Sequence, residues 1–212
     1  ARLCEGELKY AAQLDDYAFY ALGLLELYSA DFDPAHILRA EELAENIRER
    51  FADEDGGYFR TAIDAEKLLI RPKEIFDGAM PSGNGAALVL FDRLFRLTGK
   101  EPWRAAAEDQ RSFISRSAGQ YPAGCCYALT AMLTDGASRE LVCVTPDETL
   151  PETLKAVLSR YAPELTVLVK TPENAEALKS AAPYTADMQP KDGRPAYYVC
   201  TGGSCALPVD MG

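Results

Sequence analysis

The sequence predicts a mainly α fold with an α/β tail. Three observations carry this. A mostly apolar helical segment is followed by an amphipathic one, and the pair recurs, with Pro34 and Pro102 opening the two amphipathic helices 68 positions apart. After about residue 138 the pattern changes to apolar strands alternating with short helices. Inner and outer helices repeating at a fixed period indicate stacked α/α hairpins. Residues 1–137 are therefore expected to form a partial (α/α) toroid, and residues 138–212 a small parallel three-stranded α/β subdomain.

The elements follow in order. Residues 16–29, DYAFYALGLLELYS, are apolar on nearly every side, which predicts a helix buried all round. DFDP then supplies Asp33 as an N-cap and Pro34 at the first helical position. Apolar residues at Ile37, Ala40, Leu43, Ala44, Ile47 and Phe51 give the second helix one core-facing stripe. Residues 84–97 repeat the inner pattern, and Trp103, Ala106, Ala107, Phe113 and Ile114 repeat the outer one. A further helix is expected from Pro122 to Leu133. Between the hairpins, Tyr58–Thr61 and Leu68–Ile70 read as two short strands of a β-hairpin within 56–76. In the tail, ELVCVT, LTVLVK and AYYVC are strands, with LPETLKAVLSRYA and PENAEALKSAA as helices between them.

Composition narrows the function. Net charge is −11, from 22 basic and 33 acidic residues, which argues against nucleic acid or an anionic membrane as a main partner. No run of 18 apolar residues suggests a membrane span. ARLCEGELKY lacks the basic-then-apolar pattern of a signal peptide and begins almost at the first helix, as a piece of a longer chain would. The six cysteines form no secreted framework, so a reducing, cytoplasmic setting is expected. His36 is the only histidine, and neither a metal nor a cofactor is expected.

Several segments together resemble one family. LDDYAF and GLLELY, then GGYF, RPK and DGAMPSGN, then YVC with a later Cys, are similar in order and interval to the C-terminal part of the spermatogenesis-associated protein 20/YyaL-type thioredoxin-domain family. The resemblance implies a missing N-terminal half containing a thioredoxin-like domain with a CxxC motif. It also implies a six-hairpin (α/α) domain similar to N-acylglucosamine 2-epimerase and six-hairpin glycosidases. This chain has no CxxC and too few hairpins to close such a toroid. The histidines on which epimerase catalysis leans have no counterpart in a chain whose one histidine is on an outer helix.

The candidate site lies where the inner helices begin. In a toroid the inner helices are parallel, so Asp15, Asp16, Asp77, Ser82 and Asn84 would share one rim, with Tyr17 and Tyr58 as aromatic walls. Carboxylates, an amide, a hydroxyl and aromatic rings suit a sugar-like ligand, and paired carboxylates could do acid-base work. The structural alternative is that Asp15 and Asp16 answer the helix dipole and Ser82 is an N-cap. Arg71 and Lys73 either reach an acidic ligand or neutralise Asp77 and Glu74. Cys200 and Cys205 flank TGGS. A disulfide closed across this glycine turn is sterically possible, but reduced thiols are the favoured reading, with redox exchange with a thioredoxin-like partner as the sharper one. Cys125 and Cys126 read as buried. Two functions follow: a sugar-binding or sugar-processing fragment, or a scaffold completed by the missing half or by a second copy of the chain.

Overall fold

The computed structural model describes residues 2–66, 69–134, 138–201, 204–206 and 208. A short antiparallel hairpin, β1 (Arg2–Cys4) and β2 (Glu7–Lys9), precedes the helices. Two helical hairpins follow: α1 (Leu14–Asp31) with α2 (Pro34–Phe51), and α3 (Gly83–Thr98) with α4 (Glu101–Ala118). A 3₁₀ turn, Pro122–Cys125, leads into α5 (Cys126–Thr134), where the sequence predicted one continuous helix. The tail is β3 (Arg139–Val144), α6 (Glu152–Leu158), β4 (Leu165–Lys170), α7 (Ala175–Ala181), β5 (Ala196–Thr201) and the two-residue β6 (Ser204–Cys205).

Local chemistry sets the helix ends. Asp33 caps α2 by accepting from Ala35 N at 2.9 Å, with Pro34 at the first position. Ser82 caps α3 by accepting from Gly85 N at 3.0 Å, and Gly99 ends it at φ 65°. Gln13 and Asp16 form a reciprocal capping box at the start of α1. The stripe of α2 is buried as its spacing predicts.

The inner helices are parallel at their starts. A Cβ placed on Gly83 would lie 2.6 Å from Asp15 Oδ1 and 3.0 Å from Leu14 Cδ2, so the first turns of α1 and α3 touch there. Further along, Glu26 and Arg93 form an ion pair between the same two helices. Asp77 joins the starts of α3 and α5, since Oδ1 accepts from Ser82 N and Oδ2 from Tyr127 N, both at 2.9 Å. The α/β tail covers the other end. Asn174 donates to Phe32 O, just past α1, and the Tyr184 ring lies against Gly99, just past α3.

Three expectations change. The sheet is mixed, not parallel. Its order is β4-β3-β5-β6, with β4 parallel to β3 and β5 antiparallel to it. A connection through α7 and a long loop returns the chain in the opposite sense, which apolar strand patterning alone does not reveal. The described residues of 56–76 form no two-stranded hairpin. A single bridge pairs Ala52 with Tyr58, and the rest is held by isolated backbone bonds and by side chains; Lys67 and Leu68 lie outside the described residues. Finally, α1 is not buried all round: Tyr20 is 59% and Leu27 51% exposed. Among the described residues, no helix is long and apolar enough to cross a membrane.

Candidate functional site

The described residues of segment 52–81 run across the end where α1, α3 and α5 begin. It is tied down by backbone bonds from Leu14 N to Arg60 O, from Arg60 N to Pro72 O and from Asp77 N to Gly124 O. The structure therefore brings the candidate residues Asp15, Asp16, Asp77, Ser82 and Asn84 to one end of the molecule.

Several of them are bound internally. Asn84 is fully buried. Its Oδ1 accepts from Tyr58 N at 2.8 Å and from Gln110 Nε2 at 2.9 Å, and its Nδ2 donates to Tyr58 O at 2.9 Å and Glu74 O at 2.8 Å. Those four bonds use the ordinary capacity of a primary amide. Tyr58 is buried against Phe91, and burial pushes its phenol up to about 12. Tyr17 packs edge-on to Phe51 and accepts from Arg50 Nη1 at 2.5 Å.

The basic pair has partners other than those expected. Lys73 forms its ion pair with Asp53, not with Asp77 or Glu74, and donates to Gly56 O at 2.9 Å. Arg71 donates to Thr61 O at 2.6 Å and stacks 4.1 Å above the Phe59 ring. Glu74 is instead answered by Arg60, which also donates to Gln13 Oε1 at 2.7 Å. Which cations meet Phe59 depends on the path of the loop, and no local motif specifies it.

The open part of this end is acidic. Asp15 is half-buried and Asp16 exposed. Burial pushes the Asp15 carboxyl above the usual carboxylate range, and the charges of Glu74 and Asp16 add to it. Its own backbone N–H and Arg60 act the other way.

Cys200 and Cys205 face each other on β5 and β6 and are joined by a disulfide, in place of the reduced pair expected. The antiparallel return of the chain puts them in register, which the C-x4-C spacing did not specify. Cys125 is buried but Cys126 is exposed, because the helix begins only at Cys126 and turns that side chain outward. His36 bonds Asp31 at 2.9 Å. Among the described residues no group of three or more His, Cys, Asp or Glu could hold a metal ion.

Sequence reasoning missed a second site. A cleft of about 340 Å³ opens beside the carboxyl ends of β3 and β4, between Thr145, Thr171, Glu176 and Met188. Open α/β sheets leave a crevice at this place. Its buried Lys170 donates to Thr185 O, Ala186 O and Met188 O at 2.8, 2.9 and 2.8 Å, and burial pushes the ammonium pKa down. The visible signal was a lysine closing an otherwise apolar strand.

No family model matches the chain. It is distantly related to spermatogenesis-associated protein 20. Identity to the human protein is 25% over 201 residues, covering 92% of this chain and 26% of that protein. The rat protein of the same name gives 25% over the same length. An uncharacterized protein of Caenorhabditis elegans is 27% identical over 208 residues, covering 97% of this chain and 28% of the relative. The chain thus spans about a quarter of the length of the curated relatives it matches.

Proposed function

We propose that the chain is an assembly unit: an arc of α/α hairpins whose exposed flank receives a further helix from the N-terminal half of a longer protein. The supporting observation is the contrast between two equivalent inner helices. In α3, 13 of 16 residues are buried; in α1, 7 of 18 are. The exposed positions Asp16, Tyr20, Gly23 and Leu27 fall on one line at helical spacing. A Cβ added at Gly23 would meet nothing within 4 Å, which leaves room for close approach of another helix. α3 already carries such a neighbour on each side, so the occupant proposed for α1 is a helix of the same kind. The resemblance implies that the N-terminal half also carries a thioredoxin-like domain.

Light scattering and binding of a surface-sensitive dye test this on the chain alone. The expected result is dye binding or self-association that Tyr20→Glu with Leu27→Glu abolishes while helicity is kept. A monodisperse, dye-free chain that matches the double variant overturns the reading.

A second reading, a sugar-like ligand at the acidic end, is favoured by one observation: Asp15, half-buried beside Asp16 and Glu74, has a carboxyl shifted above its usual range. Thermal-shift screening of sugars and sugar phosphates, with Asp15→Asn as control, tests it. Stabilisation that survives this substitution removes Asp15 from the ligand's contacts.

A further inference from the structure

A cleft of about 430 Å³ lies between α1, α3 and β4, away from the acidic end. Its helical wall includes Glu26, Arg93 and Arg96, its floor is Leu165–Val167, and Tyr161 stands at its mouth. We infer that this cleft binds a small organic oxyanion, a carboxylate or a phosphate ester carried on an apolar body.

The first support is Arg96. It is 8% exposed, and its Nη2 pairs with Asp92 Oδ2 at 2.8 Å. Its buried Nε–H has no acceptor among the described residues. A guanidinium donor left dry and unmatched is costly, and a turn of the side chain toward the cleft would present its fork to a planar oxyanion. One turn earlier, Arg93 uses Nη1 to hold Glu26, which leaves its other N–H groups for the cleft.

The second support is independent of the arginines. β4 is the outer strand of the sheet. Arg139 N donates to Glu164 O and Thr145 N to Lys170 O, so the even-numbered residues of this segment turn their backbone groups to β3. Leu165 and Val167 turn theirs to the open edge. Leu165 N is taken by Ala162 O at 3.0 Å, so the outward N–H of Val167 is the donor β4 supplies to the cleft floor. Tyr161, 94% exposed, offers a bare ring face beside these donors. The size of the cleft suits a metabolite.

Titration with inorganic phosphate, benzoate and phenyl phosphate, followed by ¹⁵N NMR of the arginine Nε–H resonances and by calorimetry, tests the inference. The Arg96 Nε–H signal should shift with both oxyanion types. Phenyl phosphate should bind more tightly than phosphate, and Tyr161→Ala should remove that difference while leaving phosphate binding intact. Arg93→Gln, a substitution at a partly exposed side chain, should weaken all three probes by about tenfold, the loss of one charge-assisted bond. Arg96→Lys keeps the charge and should weaken them as well. The unsubstituted chain decides the matter even if that variant unfolds: saturating probe without any shift of Arg96 Nε–H overturns the site. So does binding that Arg93→Gln leaves unchanged. Neither outcome depends on the α1 flank, so failure here is separable from failure of the assembly reading.

Discussion

Asn84 and Tyr58, 26 positions apart in sequence, satisfy each other reciprocally: Tyr58 N donates to Asn84 Oδ1, and Asn84 Nδ2 donates back to Tyr58 O. A side-chain amide thus takes the place of a neighbouring strand for the buried Tyr58 of the 52–81 segment. Gln110 on α4 completes the contact by donating to both Asn84 O and Asn84 Oδ1. The start of α3, the crossing segment and α4 are therefore one polar joint inside an apolar core.

Asn84→Ala is expected to lower stability by about 3 kcal/mol, because it leaves the Tyr58 N–H and the Tyr58 and Glu74 carbonyls without this partner and takes one of two bonds from Gln110. Asn84→Asp should also destabilise, since a carboxylate cannot donate to the two carbonyls. Urea unfolding measures both. An unchanged midpoint for Asn84→Ala would assign this residue to a ligand rather than to the fold.

Asp77 should matter almost as much. Its two oxygens cap two different helices, α3 through Ser82 N and α5 through Tyr127 N. Asp77→Ala is expected to cost about 2 kcal/mol, twice the usual loss for one cap. Ser82→Ala, which removes only the bond to Gly85 N, should cost about 1 kcal/mol. Amide exchange adds a sharper readout: Asp77→Ala should speed exchange in the first turn of α5, and Ser82→Ala should not.

Helix starts and burial stripes were legible in the sequence because caps and periodicity are local. Asp33, Pro34 and Ser82 play the roles their spacing assigned. The shared end of Asp15, Asp77 and Asn84 was also reachable, since hairpins of similar length bring alternate helices back to the same level. What was not legible depended on long-range pairing. The partner of Lys73 is Asp53, 20 positions away across an irregular segment. The direction of β5 depends on the path of the loop before it. The exposed row on α1 looked like core because its composition is core-like, whereas burial depends on whether a neighbour exists.

Acidification should act on Asp15 with a definite sign. Its folded-state pKa is raised, chiefly by burial, from 3.8. A raised carboxyl binds its proton more tightly when folded, so the ionised group costs stability at neutral pH and that cost vanishes as pH falls toward and below 3.8. Asp15→Asn should therefore be the more stable chain at pH near 7. Because the residue is half exposed the gain is small, and it should shrink on acidification. Melting temperatures of the two chains across that range check it; a gain that grows toward acid contradicts the burial argument.

The free thiols divide by environment, and alkylation with peptide mapping reads the division. Cys126 is exposed, while Cys125 and Cys143 are buried. Burial pushes the Cys143 thiol from 9.0 up to about 11, against a smaller opposing effect of its bond with Tyr197. Burial also raises Cys125, with the charge of Asp77 adding to it. Only a thiolate reacts at useful speed. Iodoacetamide at mildly alkaline pH should therefore modify Cys126 and spare Cys125 and Cys143 until the chain unfolds. The same shift has a thermodynamic consequence. The folded state keeps the Cys143 proton over the interval in which the unfolded chain loses it, so stability is complete below 9.0 and declines as pH rises from there toward about 11. Cys143→Ala should flatten that part of the decline. Tyr58, held up to about 12 by burial, extends the decline at still higher pH in both chains. Equal alkaline slopes for the two proteins would mean that the Cys143 thiol ionises in the folded state as readily as in the unfolded one, and the buried position of β3 would then not explain its protection.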